Sequence, residues 1–290
     1  MTGATTLGSV LHDAAERLRR AGIEDAQLEA DVLLRHALGM DEERAHMLAL
    51  LHEPIDATAT ARFEELLRRR LEHEPTAYIV GFREFYGIEL ACSPAALIPR
   101  PETELLVEIA LDWLARLEPA APRPLIVDVG TGNGALAIAL ALNRPEARVV
   151  AIDTSAEALR LARDNVERHG VGGRVGLVRG DLLRPLGASA DLIVANLPYV
   201  SEGDWEGLPA EIQSHEPRAA LVGGRGGTET IARLLAEAPA RLKSRSLLLC
   251  ECGDLQADAL RIEAVRAFPE AWIEVRQDLA GLDRVLYVER

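Results

Sequence analysis

Asn196-Leu197-Pro198-Tyr199 closes an apolar, β-branched run over residues 190–195, which reads as a buried strand that Pro198 cannot continue. A strand of an open α/β sheet delivers such residues to its C-terminal edge, where ligands bind. Their types suit a clamp on a planar NH2 group. That nitrogen is a weak nucleophile because its lone pair is delocalised, and the Asn196 side-chain oxygen and the Leu197 carbonyl can accept both of its N–H bonds. Both acceptors stabilise the positive charge that grows on nitrogen as it attacks an electrophilic methyl. Pro198 ends the strand, and Tyr199 packs its ring on the flat group and holds it in line. Neither a metal nor a strong general base is required. Read alone, the four residues are also an ordinary Asn-x-Pro turn.

A glycine turn supplies the second cluster. Leu125-Ile126-Val127-Asp128-Val129 reads as a strand, Gly130-Thr131-Gly132-Asn133-Gly134 as a tight turn, and a helix begins at Ala135. Such a turn lets backbone approach a ligand at a helix N-terminus. Gly130-x-Gly132-x-x-Ala135 also satisfies the dinucleotide fingerprint, with Asp153 at the right distance for a ribose hydroxyl. Asp181 and Leu182, after a third strand, offer an edge and a face to adenine. The clamp at Asn196 gives a methyl donor a task, whereas hydride transfer leaves it unexplained. S-adenosylmethionine is therefore the favoured cofactor.

The elements that must position these residues alternate in kind. Strands over 125–129, 149–153 and 175–178, helices from 135 and 156, and the strand at 190–195 predict a parallel sheet with right-handed crossovers. A helix over 228–242, a strand over 247–251, a further helix and two final strands around Gly281 complete it. Residues 200–226 show no sustained period and read as a long functional loop carrying His215-Glu216-Pro217-Arg218 and a glycine run at 223–227. Upstream, residues 6–71 are helical throughout, with Gly22 and Gly39 at helix ends and Asp25, Asp41 and Asp56 as caps. Arg68-Arg69-Arg70 reads as a solvated face. Residues 78–90 read as a hairpin, and Ile98-Pro99-Arg100-Pro101-Glu102-Thr103-Glu104 opens a helix while placing Arg100 beside the sheet edge. Pro119 to Pro124 is a short linker.

Composition sets the outer bounds. A chain of 290 residues, 48% hydrophobic and 27% charged, predicts one large and one smaller globular domain. A formal net charge of -14 argues against a surface that grips a long phosphate backbone. Cys92, Cys250 and Cys252 form no disulfide framework; the last two are read as reduced core residues on opposite faces of a strand, with no metal site. No leader and no bilayer-spanning run is evident, so a cytoplasmic protein is expected, by default a monomer.

Together these motifs resemble the HemK-type family of peptide-chain-release-factor glutamine N5-methyltransferases. The resemblance runs from the helical N-terminal part through Tyr78-x-x-Gly81 and Phe85-Tyr86-Gly87, Ile98 to Glu104 and Asp128-Val129-Gly130-Thr131-Gly132. It continues through His215-Glu216-Pro217 and Glu251-Cys252-Gly253 with Gln256, and ends with Asp278-Leu279-Ala280-Gly281-Leu282-Asp283-Arg284. It implies an α/β fold: a seven-stranded, mostly parallel Rossmann-like methyltransferase sheet with an all-helical N-terminal domain. The implied division is a helical, substrate-docking bundle over 1–75, a hairpin linker over 76–97 and the methyltransferase domain over 98–290. The resemblance further implies that Gly130, Thr131, Gly132, Asn133, Gly134, Asp153, Asp181, Leu182 and Asn196 hold S-adenosylmethionine. Asn196, Leu197, Pro198 and Tyr199, with Arg100 nearby, would hold the glutamine of a class I release factor's Gly-Gly-Gln motif. The family usually has Asn-Pro-Pro-Tyr, and Leu197 replaces the first proline; the carbonyl that the clamp needs is kept while the backbone loosens. Asn-Leu-Pro-Tyr is the form typical of ribosomal-RNA adenine N6-methyltransferases, which is the rival reading. The net charge, the helical N-terminal part and residues 98–104 count against it. A non-enzymatic S-adenosylmethionine-binding module is a third, and it would leave Asn196 and Tyr199 idle.

Overall fold

The computed structural model describes residues 6–40, 44–117 and 123–290. The expected cap Asp41 and most of the linker at 119–124 lie outside them. The chain divides into two units, one made of Met1–Gly81 with Pro209–His215, the other of Phe82–Leu208 with Glu216–Arg290.

The first unit is helical: α1 (Leu7–Arg20), α2 (Ala26–Leu38), α3 (Arg44–Ala49), α4 (Ala57–Leu71) and α5 (Thr76–Val80). Thr6 caps α1 in a reciprocal pair with Ser9, and Asp56 caps α4 by accepting from the Ala59 amide at 2.8 Å. Asp25 occupies the cap of α2 in a left-handed conformation and makes no side-chain cap bond. Leu18, Leu33, Leu34, Phe63 and Leu67 are fully buried between these helices. The hairpin expected from Tyr78 begins only at Phe82. Pro75 starts a short helix at 76 and Gly81, left-handed at φ 88°, stops it, so Tyr78 is a buried helical residue. Arg70, read as part of a solvated face, is buried and pairs with Glu29 at 3.1 Å and Glu211 at 2.8 Å; Arg68 and Arg69 pair with carboxylates nearer the surface.

The second unit opens with the hairpin β1 (Phe82–Phe85) and β2 (Ile88–Ala91), then a short turn of 3-10 helix over Pro101–Thr103 leading into α6 (Glu104–Ala115). There follow β3 (Leu125–Val129), α7 (Ala135–Asn143), β4 (Arg148–Asp153), α8 (Ala156–Arg168), β5 (Val175–Arg179) and β6 (Ala190–Ala195). Residues 200–226, expected to be a structureless loop, hold β7 (Val200–Ser201), α9 (Ala210–His215) and β8 (Val222–Gly224), with β7 paired to β8. These pieces are too short to carry a readable period; tertiary pairing defines them. α9 belongs to the first unit, where Glu211 meets Arg70. The chain ends with α10 (Glu229–Glu237), β9 (Leu242–Glu251), α11 (Ala257–Ala267), β10 (Trp272–Gln277) and β11 (Asp283–Glu289).

Seven strands form one sheet in the order β10-β11-β9-β6-β3-β4-β5. β9, β6, β3, β4 and β5 run parallel, and β11 enters antiparallel between β9 and β10. Helices cover both faces, which is why the strands read as continuous apolar runs. Ile126, Leu192, Val194, Leu247 and Leu249 pack on one side with α6 and α7; Val127, Ile193, Ala195 and Leu248 pack on the other with α10 and α11. Cys250 and Cys252, expected on opposite faces, are buried in the same cluster, since residues two apart on a strand share a face. From β3 the chain moves outward through β4 and β5, then returns to place β6 on β3's other side. The C-terminal ends of β3 and β6 thereby flank the point where strand order reverses, the place where such sheets open a ligand crevice. Among the described residues no helix is long and apolar enough to cross a membrane, and no group of three His, Cys, Asp or Glu is placed to hold a metal.

Candidate active site

Val129 pairs with Ala195 in the β3–β6 register, so the glycine turn and Asn196 leave the sheet side by side. Both Gly130 N and Thr131 N donate to the Ile152 carbonyl, at 2.8 and 3.0 Å, folding the turn over β4. Gly130 and Gly134 take φ of 77° and 91°, values that side-chain-bearing residues rarely adopt. A Cβ on Gly130 would stand 2.9 Å from a terminal methyl of Leu197. The Leu197 side chain is thus packed down on the turn and buried, while its carbonyl belongs to the strand-end segment.

Two aspartates brace the turn. Asp153 accepts from Gly132 N and Ser155 N, one on each oxygen, both at 2.9 Å, and burial raises its carboxyl pKa. Asp128 is wholly buried. One oxygen accepts from the Thr131 hydroxyl at 2.6 Å and the Ala137 amide at 3.1 Å, while the other has no partner among the described residues. Burial pushes the Asp128 carboxyl up to about 7. Asn133 is held inward, its side chain near the Ala91 carbonyl at 3.4 Å and its own carbonyl accepting from Asn165 at 2.9 Å. Asp181 lies between Arg233 at 2.6 Å and Arg184 at 3.1 Å; Leu182 beside it is buried in a left-handed conformation.

At the end of β6 a polar network crosses the apolar core. The Asn196 amide nitrogen donates to Thr103 Oγ1 at 2.9 Å, and Thr103 Oγ1 donates to Glu251 Oε2 at 2.6 Å. The Tyr199 hydroxyl donates to the other oxygen, Glu251 Oε1, at 3.2 Å. Thr103 and Glu251 are 4% and 1% exposed, so water does not compete for these bonds. Burial pushes the Glu251 carboxyl pKa up, while the Thr103 and Tyr199 hydroxyls and the Arg284 guanidinium draw it down. Burial, and then the Glu251 charge, raise the Tyr199 hydroxyl, which therefore stays protonated. Gln256 closes the network from outside by donating to the Tyr199 carbonyl at 2.7 Å.

The glycine run that begins in β8 explains itself here. A Cβ on Gly223 would meet the Pro198 carbonyl oxygen at 2.2 Å, and one on Gly227 the Tyr199 carbonyl oxygen at the same distance. Backbone therefore lies on backbone. Arg100 ion-pairs with Glu216, whose other oxygen accepts from the Ile98 amide at 3.3 Å. Its guanidinium thus ties residues 98–100 to the segment at 216–220.

These segments surround a cleft of about 370 Å³, within the ordinary range for a small-ligand site. Gly130, Thr131, Gly132, Asn133, Asp153, Asp181, Leu182, Asn196, Leu197 and Pro198 line it; Gly134, Tyr199 and Arg100 do not. Thr103 and Asp128, which also line it, and Glu251 behind it stand in motifs that the sequence analysis names, but it gives none of them a role at the site. Glu251 did leave a signal, as a carboxylate closing the apolar run Leu247-Leu248-Leu249-Cys250. Thr103 left only its place in the motif from Ile98 to Glu104.

Comparison with known proteins adds an independent line. Residues 9–81 match the family profile described as PrmC N-terminal domain, and residues 109–212 match Methyltransferase small domain. The release factor glutamine methyltransferase of Nitratidesulfovibrio vulgaris is 40% identical over 292 residues, covering 100% of this chain and 97% of its own. That of Moorella thermoacetica is 40% identical over 288 residues, covering 98% of this chain and 99% of its own. Among solved structures, the human methyltransferase 10 domain containing protein superposes with a TM-score of 0.52 at 17% identity, covering 71% of this chain and 90% of that one. At that identity the likeness concerns the fold.

Proposed function

The chain belongs to the release factor glutamine methyltransferase family, and from that membership and its cleft we propose the reaction performed there. A methyl group passes from S-adenosylmethionine to the side-chain amide N5 of the glutamine in the Gly-Gly-Gln motif of a class I peptide chain release factor; the S–CH3 bond breaks to leave the thioether, and N5 gives up one proton to solvent. The observation that carries this reading is the adjacency of Gly130–Asn133 and Asn196–Pro198 along one cleft, a nucleotide-type turn beside an amide-accepting segment.

The residues present fit the cofactor. Asp128 keeps a buried carboxylate oxygen without a partner among the described residues, an acceptor suited to an ammonium group, and the positive-φ glycines keep side chains out of the turn. Asp153 is the acid for the ribose hydroxyls and Leu182 the apolar face for adenine, with Asp181 held beside it by Arg233. When bound, the cofactor supplies the electrophilic methyl. This chain's part is to hold and orient the nucleophile. Asn196 Oδ1 and the Leu197 carbonyl accept the two N–H bonds of the glutamine amide and stabilise the charge that develops on its nitrogen. Pro198 fixes the turn that exposes them, and Tyr199 forms the wall behind. Arg100 acts through Glu216, keeping residues 98–100 at the rim. The helical unit helps dock the factor, and the protein works as a cytoplasmic monomer without gripping long nucleic acid.

The test is transfer of a labelled methyl group from S-adenosylmethionine to a purified class I release factor, with under-methylated ribosomal RNA assayed in parallel. Label on the factor, lost when its Gly-Gly-Gln glutamine is replaced, is expected. Label on the RNA alone would favour the adenine N6 reading, for which Leu197 is the one residue that speaks.

A further inference from the structure

Asn196 can serve as an acceptor only if its amide is turned the right way, and nothing in the residue itself decides this. The two ends of a side-chain amide have nearly the same shape and opposite hydrogen-bonding character. If the NH2 end faced the cleft, it would meet the NH2 of a glutamine, donor against donor.

The direction of the amide is fixed from behind. A threonine hydroxyl has a single proton, and Thr103 gives its proton to Glu251 across 2.6 Å. Glu251 accepts from the Thr103 hydroxyl on one oxygen and from the Tyr199 hydroxyl on the other, so toward both it is an acceptor. Having donated, Thr103 Oγ1 can only accept. The group that meets it at 2.9 Å must therefore be the NH2 end of Asn196, and Oδ1 is turned away from Thr103. The same carboxylate holds the Tyr199 hydroxyl with its other oxygen.

We propose that Glu251, acting through Thr103, is the positioning residue that sets the polarity of the Asn196 amide and anchors Tyr199, so that one buried carboxylate aligns both sides of the substrate clamp. The proposal rests on the reading above that a glutamine amide enters the cleft. The topology suits the task. Glu251 is the last residue of β9, and its neighbour Cys250 pairs with Ala195, so the carboxylate is delivered next to Asn196 by the sheet ladder itself. Thr103 lies at the junction of the 3-10 turn and α6, 148 residues away in sequence. Glu251 does not line the cleft, and Thr103, which does, commits its hydroxyl to Glu251 and Asn196, so their effect passes through Asn196 and Tyr199.

The experiment uses the full-length protein with S-adenosylmethionine and a class I release factor. Thr103→Val keeps the shape and removes the relay, Thr103→Ser restores the hydroxyl, and Glu251→Gln replaces one of the two accepting oxygens with a donor. Cofactor affinity is measured by calorimetry, release-factor KM and kcat by methyl transfer. Thr103→Val and Glu251→Gln are expected to lower kcat about 10²-fold, with cofactor Kd and release-factor KM within about threefold of wild type. Thr103→Ser should return kcat to within about threefold. A Thr103→Val protein that keeps wild-type kcat overturns the relay. So does one that loses cofactor affinity and turnover together without rescue by serine, because that is the behaviour of a merely structural contact. Wild-type protein that leaves the release factor unlabelled would instead refute the substrate reading.

Discussion

Gly223 lies against the Pro198 carbonyl so closely that a Cβ there would stand 2.2 Å from its oxygen. Backbone cannot yield as a flexible side chain can, so Gly223→Ala must displace the segment that bears Asn196 and Tyr199. The expected result is a melting temperature lower by roughly 5–10 °C together with loss of most methyl transfer. Gly173→Ala is the control, because a Cβ there meets nothing within 4 Å among the described residues and should leave both quantities unchanged. If the two variants behave alike, the close approach is not what the glycine run is for.

The sheet was legible because each of its central strands is covered on both faces, and such strands announce themselves as unbroken apolar runs: Leu125-Ile126-Val127 and Leu192-Ile193-Val194. The glycine turn and the strand end at Asn196 were legible for the same reason, since each follows a strand. What escaped the sequence reading is non-local. The bond between Thr103 and Glu251 joins residues 148 apart, and that between Arg100 and Glu216 joins residues 116 apart; no spacing within a helix or strand encodes either. Residues 200–226 were misread as structureless because β7 and β8 are two and three residues long, below the length at which alternation can be seen. Arg70 was read with Arg68 and Arg69 as one charged face, although residues one apart on a helix point in different directions, and Arg70 is the one that turns inward.

Leu197 separates two roles that one residue combines. Its side chain is buried on Gly130, whereas its carbonyl is the proposed substrate acceptor. Leu197→Ala removes the packing and keeps the carbonyl. Unfolding by denaturant should show a loss of about 2–4 kcal/mol, while kcat falls by no more than about tenfold. A far larger loss of kcat at modest loss of stability would mean that the leucine side chain itself shapes the substrate subsite.

Asp128 makes stability depend on pH in a direction opposite to most carboxylates. Its pKa rises from an ordinary 3.8 to about 7 in the folded protein because its charged form is desolvated. Between those values the unfolded chain has released a proton that the folded protein still holds. Stability is therefore fully present below about pH 4, falls as pH rises and reaches its lower level above about pH 7. Asp128→Asn has no such titration. The melting temperature of the variant minus that of the wild type, without cofactor, should be near zero at pH 4 and grow more positive toward pH 8. At pH 8 the same variant should bind S-adenosylmethionine about tenfold or more weakly, having lost a charged acceptor. A difference in melting temperature that is flat with pH would show that Asp128 keeps an ordinary carboxylate pKa.

Asn196→Ala bears most directly on the chemistry. The proposed mechanism places its oxygen on the nucleophile's N–H, a contact that strengthens only as positive charge grows on nitrogen. Its loss should therefore fall on the chemical step. Single-turnover methyl transfer is expected to slow about 10²–10³-fold, the range for removing one oriented dipole from a developing charge. Cofactor affinity should change little, because Asp128, Asp153 and the glycine turn, on β3 and β4, remain in place. The alanine also frees Thr103, but the Thr103 hydroxyl keeps its acceptor in Glu251, so no buried donor is orphaned and the fold should persist. Wild-type turnover in a variant that still binds cofactor would mean that the glutamine nitrogen is oriented by other groups. The Leu197 carbonyl would then be the first to test, and the polarity set by Glu251 would have nothing to act on.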